Sequence, residues 1–249
     1  MGMTSYSQFD SYKERIFGLS NTFHAEEIVT DDFLLEKSDA KKVSIYYSPV
    51  EYLNEAAIIL IVGITPGFRQ MKKAYESVCE NRGIRHDEEI LHKAKMDSGY
   101  EGPMRKNLIQ MLDQLGLHTY LQLSTSGELF TRAANHLMHT TGLLPYPVFY
   151  KGKNYTGTTP NIWKTPILRK YVLECFREDV SRLDNPLIIP LGVNVANVLQ
   201  QLTDLRLLGN SHLLTGFPHP SGANGHRHKQ FASNKEQMQN MIAHYFRGP

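Results

Sequence analysis

The sequence predicts an α/β fold of three layers, with a mainly parallel central sheet between helices. Residues 56–62 (AAIILIV) form a continuous apolar run that stops at Gly63, which is typical of a strand buried on both faces. Two later apolar runs, at 187–191 and 212–217, are separated from it by segments with helical periodicity. Strands that alternate with helices in this way favour a parallel sheet.

Two helices have clear sequence boundaries. Pro103 opens the first, Gly116 ends it, and its apolar residues recur at helical spacing. Thr165 is a plausible N-cap for the second, with Pro166 in the first helical position. We also expect helices within 5–19 and 195–202, a strand near 135–141, and a loop over 151–160 (KGKNYTGTTP).

Composition is that of an ordinary globular protein. The 249 residues are 41% hydrophobic and 21% charged, and we expect one domain over 1–249. A net charge of +2 permits nucleic-acid binding without requiring it. Cys79 and Cys175 are too few for a disulfide framework or a four-cysteine metal site. The polar N-terminus and the lack of a long apolar run predict a cytoplasmic protein without a membrane partner, and we expect a monomer.

Two loops with unusual chemistry follow predicted strands. In α/β folds ligands bind beyond the carboxyl ends of the strands, so we expect residues 63–67 (GITPG) and 219–222 (HPSG) at the same edge of the sheet. Gly63 and Gly67 allow close approach of a ligand to the backbone, and Pro66 fixes the turn. The alternative for this first loop is a tight connection with no further role.

His219 is the candidate catalytic group of the second loop. Prolines on both sides restrict its backbone, and a neutral imidazole can donate a hydrogen bond to developing negative charge. The basic segment 223–231 (ANGHRHKQF) suits phosphate contacts. His226 and His228 could instead bind a metal together with His212 or His219, but no carboxylate or cysteine completes that set. We therefore expect neither a metal nor a cofactor.

The ordered pair of G-x-x-P-G and H-P-S-G motifs resembles the two signature motifs of the uracil-DNA glycosylase superfamily. The resemblance extends over residues 56–231. Residues 98–116 are similar to the family segment that bears a base-stacking aromatic residue, and the helix from Pro166 followed by LIIPLG resembles the family's penultimate strand. The first fifty residues are not explained by it.

This resemblance implies DNA as the partner and hydrolysis of the N-glycosidic bond of a flipped uracil or related deaminated base. His219 would stabilise negative charge on the departing base, and Tyr100, or else Phe68, would stack on it. The implied base-binding residues are Gly63, Ile64, Pro66, Gly67, Phe68, Tyr100, His139 and Thr141. The implied DNA-binding residues, which include a loop that wedges into the duplex, are Ser221, Gly222, Ala223, Asn224, Gly225, His226, Arg227 and Lys229.

The chain departs from the family pattern where a water molecule is activated. Thr65 stands at or near a position where active relatives carry Asp, Asn or Glu; its hydroxyl can orient water but cannot act as a base. Gln70 likewise replaces a carboxylate found in some branches. A binding protein without catalysis, which keeps the fold and recognises a nucleobase, nucleotide or DNA, is therefore the alternative. An unrelated hydrolase with His219 as general base is disfavoured because no G-x-S-x-G motif is present.

Overall fold

A computed structural model describes residues 2–20, 23–209 and 212–248. The strands are β1 (Gly2–Met3), β2 (Leu34–Ser38), β3 (Val43–Tyr46), β4 (Tyr52–Leu53), β5 (Ile59–Gly63), β6 (Met138–Gly142), β7 (Val148–Tyr150), β8 (Lys153–Asn154), β9 (Leu187–Pro190) and β10 (His212–Leu213). The mixed α/β class with a parallel sheet is confirmed.

The α-helices are α1 (Phe9–Phe17), α2 (Ala25–Ile28), α3 (Phe68–Glu80), α4 (Asp87–Asp97), α5 (Gly102–Gln114), α6 (Leu117–Tyr120), α7 (Pro166–Tyr171), α8 (Arg177–Ser181), α9 (Val193–Asp204) and α10 (Arg227–Arg247). A π-helical segment, Val172–Phe176, joins α7 to α8. Among the described residues, no helix is both long enough and apolar enough to cross a membrane.

The chain forms two compact units, each made of three separate stretches. Unit 1 comprises residues 1–53, 64–99 and 142–180, and unit 2 comprises residues 54–63, 100–141 and 181–249. The chain passes from unit 2 to unit 1 directly after β5, at the bond between Gly63 and Ile64. The expectation of one domain stays a prediction.

Unit 2 contains the parallel sheet, whose strand order is β10-β9-β5-β6. Strand β9 pairs in parallel with both β5 and β10. Alternate residues of β5 and β9 pack into one apolar cluster with α5 and α10. The residues between them, such as Leu60 and Ile188, are also completely buried, so both faces of these strands are covered, as the apolar runs predicted.

The two helices with clear sequence boundaries are confirmed. Helix α5 contains Pro103 in its first turn and ends before Gly116, whose φ of 77° suits glycine. The apolar stripe predicted for it packs in the core and consists of Met104, Leu108, Met111, Leu112 and Leu115. The apolar face predicted after Thr165 is also buried and consists of Ile167, Leu168, Tyr171, Val172, Cys175, Phe176 and Val180.

Three element boundaries differ from the predictions. Strand β10 ends at Leu213 and does not extend to Phe217, because the chain turns at Gly216 with a φ of 90° and Pro218 follows. The strand expected near 135–141 begins only at Met138, after a 3₁₀ turn. The expected loop over 151–160 contains β8, which pairs with β7 across Lys151 and Gly152; both have positive φ, as a two-residue hairpin requires.

Unit 1 contains an antiparallel sheet that the sequence did not predict, with strand order β2-β3-β7-β8. The N-terminal fifty residues contribute two of its strands, β2 and β3, and also strand β1, which pairs with β4. Helices α3 and α4 pack on each other in the same unit, and Met71, Tyr75 and Leu91 are completely buried. The N-terminal segment is therefore part of the folded body.

Candidate functional site

His219 lies in the loop after β10 in unit 2. The backbone N–H of Ser221 donates a hydrogen bond to Nδ1 of His219 over 3.2 Å. A ring nitrogen that accepts carries no proton, so the neutral ring carries its proton on Nε2. Burial lowers the pKa of His219 below its ordinary value, which favours this neutral form. At neutral pH the half-buried imidazole is thus an Nε2–H donor.

Gly192, directly after β9, determines how closely the backbone approaches His219. Its φ of 95° and ψ of 168° belong to a region that is essentially restricted to glycine. A Cβ at this position would lie 3.0 Å from the Cβ of His219. The N–H of Gly192 also donates to the carbonyl of Phe217 over 3.1 Å, which joins the end of β9 to the loop after β10. Sequence analysis placed Gly192 only at the end of a strand.

Two side-chain amides and one guanidinium hold the loop that contains His219. Nδ2 of Asn107, on α5, donates to the carbonyl of Pro220 over 2.8 Å. Nδ2 of Asn224 donates to the carbonyl of His219 over 3.2 Å. Nη1 of Arg227 donates to the carbonyl of Ser221 over 2.9 Å. The loop is therefore fixed by contacts within unit 2, and Asn107 is a contributor that sequence reasoning did not single out.

The predicted DNA-binding residues lie around this loop. Ser221, Asn224 and Arg227 are half-buried and bonded within it. The members that reach the surface are Gly222, Ala223, Gly225, His226 and Lys229. This exposure is compatible with contact to a polyanion, and their DNA-binding role stays a prediction.

Gly63 and Tyr100 approach each other at the end of β5. A Cβ at Gly63 would lie 2.9 Å from the hydroxyl oxygen of Tyr100 and 3.9 Å from the carbonyl oxygen of Thr141. Tyr100 is half-buried, and burial raises the pKa of its phenol. On β6, Thr141 is half-buried whereas His139 is only 3% exposed. Their proposed base-binding roles stay predictions, and Thr141 is the more accessible of the two.

Thr65 lies in unit 1, where its side chain joins two segments of backbone. Its hydroxyl donates to the carbonyl of Tyr146 over 2.7 Å and accepts from the N–H of Val148 over 3.1 Å. The backbone of Ile64 also accepts a hydrogen bond from the N–H of Leu144 over 2.9 Å. The hydroxyl proton of Thr65 is thus already donated to a backbone carbonyl, which gives this residue a structural role. Its catalytic role stays a prediction.

The start of α3 completes the first loop. The side-chain oxygen of Gln70 accepts from the N–H of Gly67 over 3.1 Å, and its amide nitrogen donates to the carbonyl of Ser98 over 3.2 Å. The side-chain oxygen of Asn154 accepts from the N–H of Phe68 over 3.1 Å. Pro66 and Phe68 are half-buried. Asn154 was missed because the hairpin that positions it was interpreted as a loop.

Two glycines that the sequence analysis did not single out pack on this loop. A Cβ at Gly142 would lie 2.7 Å from the carbonyl oxygen of Leu144 and 3.1 Å from the Cα of Thr65. Gly157 has a φ of 82°, and a Cβ there would collide with Cδ1 of Ile64. The contact at Gly142 involves backbone on both sides, so only glycine fits there without a shift of the main chain.

The structure thus divides the predicted residues between the units. Ile64 to Phe68 lie in unit 1; Gly63, Tyr100, His139, Thr141 and the loop with His219 lie in unit 2. In the described ranges, no group of three or more His, Cys, Asp or Glu side chains is arranged to hold a metal ion. A surface cleft of about 620 Å³ in unit 2 lies between β10 and α10, and its lining contains none of the residues predicted for catalysis, base binding or DNA binding.

These features define an α/β protein with a neutral histidine at the carboxyl edge of a parallel sheet. No protein-family model matches the chain. It is 41% identical over 235 residues to "Uncharacterized protein YoxB" of Bacillus subtilis (strain 168). The matched region covers 93% of this chain and 90% of YoxB. The chain therefore belongs to the same family as YoxB.

A solved structure, "The crystal structure of WT Pedobacter heparinus SMUG2", is similar to this chain at a TM-score of 0.40 and 14% identity. The match covers 74% of this chain and 76% of that one.

Proposed function

We propose that this protein is a monofunctional DNA glycosylase that releases uracil or a related deaminated base from DNA. The observation that carries the proposal is the state of His219: a neutral ring, fixed by the N–H of Ser221, with Nε2–H as its donor. When a glycosidic bond breaks heterolytically, the base leaves with negative charge. A preorganised neutral donor stabilises that negative charge through a hydrogen bond and keeps its own proton.

The ordered motifs support the same activity. G-x-x-P-G ends β5, and H-P-S-G follows β10, which lies in the same parallel sheet. Base flipping would bring the target to His219, and the exposed residues near it are small or basic, which suits contact with a phosphate backbone. DNA is accordingly the proposed partner.

A second candidate function is binding of a nucleobase or DNA without catalysis. The hydroxyl of Thr65 and the amide of Gln70 are both bonded to backbone groups, and neither side chain can serve as a general base. Such a protein would bind a uracil-containing duplex and release no base.

The test is single-turnover base release from oligonucleotides that contain one uracil, hypoxanthine or xanthine, with protein in excess and alkaline cleavage of abasic sites. We expect wild type to release at least one of these bases. His219→Ala should slow release by about 100- to 1,000-fold, because it removes a single oxyanion donor. His86→Ala, which alters an exposed histidine in unit 1, is the matched control. Absence of release from all three bases would overturn the glycosylase proposal, and retained binding would favour the second function.

A further inference from the structure

Glu51 is a completely buried carboxylate that accepts four hydrogen bonds in unit 1. One oxygen accepts from the N–H of Gln8 over 3.0 Å and from the hydroxyl of Tyr146. The other accepts from the hydroxyls of Ser7 over 2.8 Å and Tyr47 over 3.1 Å. Burial raises the pKa of the Glu51 carboxyl, whereas the hydrogen bonds oppose that change. A buried carboxylate is tolerated only when its oxygens are satisfied in this way.

Tyr146 connects this carboxylate to the first loop. Tyr146 is 1% exposed, and its hydroxyl donates a hydrogen bond to the carboxylate of Glu51. Its backbone carbonyl accepts a hydrogen bond from the hydroxyl of Thr65. Leu144 lies two positions before Tyr146, and its N–H donates to the carbonyl of Ile64. Val148 lies two positions after Tyr146, and its N–H donates to the hydroxyl of Thr65. Tyr146 is therefore the central residue of the segment against which the loop is aligned.

We propose that Glu51 is a positioning residue that fixes the loop Ile64–Gly67 through Tyr146. Ser7 and Gln8 each donate to one oxygen of the same carboxylate, so the N-terminal segment, which the motif resemblance leaves unexplained, supports the loop through Glu51. The catalytic consequence rests on the proposed glycosylase function. The structural consequence, the alignment of residues 64–67, does not.

Tyr47 provides a matched control for Tyr146. Both phenols are completely or almost completely buried, and both hydroxyls donate to Glu51. Only Tyr146 also presents its carbonyl to Thr65. Tyr146→Phe and Tyr47→Phe each remove one hydroxyl from the same carboxylate and should lower the urea midpoint of unfolding by similar amounts. A merely structural role for the cluster would make the two variants equivalent.

The first readout is hydrogen exchange at the backbone amide of Val148, which donates to Thr65. We expect Tyr146→Phe and Glu51→Gln to accelerate exchange there at least tenfold beyond the change caused by Tyr47→Phe. We expect Glu51→Gln and Tyr146→Phe to be non-additive in the double variant, because they act on one interaction. Equal exchange rates of the Val148 amide in Tyr146→Phe and Tyr47→Phe would overturn the proposal. This comparison does not depend on Glu51→Gln, so it decides the question even if that variant fails to fold.

The second readout is base release under the conditions described above, at varied DNA concentration. Tyr146→Phe should lower the single-turnover rate at saturation more than Tyr47→Phe does, with little change in the DNA concentration needed for half-saturation. Equal rate losses would contradict a positioning role. If wild type releases no base, the proposed function fails, while exchange at Val148 still decides whether Glu51 aligns the loop.

Discussion

Replacement of Gly192 by alanine tests whether this glycine sets the position of His219. At a φ of 95° and a ψ of 168°, a residue with a side chain is strained, which costs about 1–3 kcal/mol. The added Cβ would also lie 3.0 Å from the Cβ of His219 and 3.4 Å from its backbone nitrogen, so the loop must move. With this overpacking we expect Gly192→Ala to lower the free energy of unfolding by about 2–4 kcal/mol in total.

The assay is urea unfolding, combined with NMR of the imidazole nitrogens to follow the tautomer of His219. Gly222→Ala is the control, because a Cβ there meets no atom within 4 Å and its φ is not in the left-handed region. We expect the control to change stability by less than about 0.5 kcal/mol. The reasoning is refuted if Gly192→Ala is as stable as wild type and its His219 keeps the same tautomer and pKa.

Three further predictions follow from individual side chains. Burial lowers the pKa of His219, so the neutral imidazole should persist at neutral pH and gain a proton only below pH 6.5. We therefore expect the rate of base release, and the contribution of His219 to the free energy of unfolding, to fall with a midpoint below pH 6.5. A midpoint above 6.5 in the pH–rate profile would contradict this. Thr65→Val should lower the free energy of unfolding in urea by about 1–3 kcal/mol, because it leaves two backbone groups unpaired, whereas Thr65→Ser keeps the hydroxyl and should lose less. Burial lowers the pKa of Lys95 from 10.5 to about 8, so between these values only the unfolded chain holds the proton. The stability of wild type relative to Lys95→Met should therefore rise across this range by up to about 3 kcal/mol; parallel curves of unfolding free energy against pH would contradict it.

The parallel sheet and its loops could be predicted because their signals are local. The run that ends at Gly63 and the run that ends at Gly192 identify buried strands by composition alone. The hydrogen bond from Ser221 to His219 joins residues two positions apart, within one Pro-rich turn. The sequence indicated His219 as the candidate catalytic group through the prolines on both sides of it and the H-P-S-G motif, whereas the contact with Ser221 is seen only in the structure.

The surroundings of Thr65 could not be predicted because they depend on distant pairings. Tyr146 meets Glu51 across 95 positions and Thr65 across 81 positions of the chain. No periodicity or spacing in the sequence connects such residues. The hairpin that carries Asn154 was also missed, because a two-residue strand next to a Lys-Gly turn has too little apolar pattern to indicate pairing.

If the proposed function holds, the side chains of the two loops predict which bases leave fastest. The hydroxyl of Thr65 and the amide of Gln70 supply no general base, so little help is expected for the attacking water. Under the proposed function, His219 would supply a neutral donor for the departing base. The proposed reaction would therefore depend mainly on how well the base carries negative charge as the bond breaks.

Rates should therefore follow the acidity of the leaving base. 5-Fluorouracil is more acidic than uracil, so we expect it to leave faster in the same single-turnover assay, with both bases in the same sequence context. In His219→Ala the less acidic base should suffer the larger loss, because it relies more on the donor. His86→Ala should preserve the wild-type ratio of the two rates. Equal release of the two bases by wild type would mean that a step other than cleavage of the glycosidic bond limits the rate, and the role argued for His219 would lose its kinetic basis.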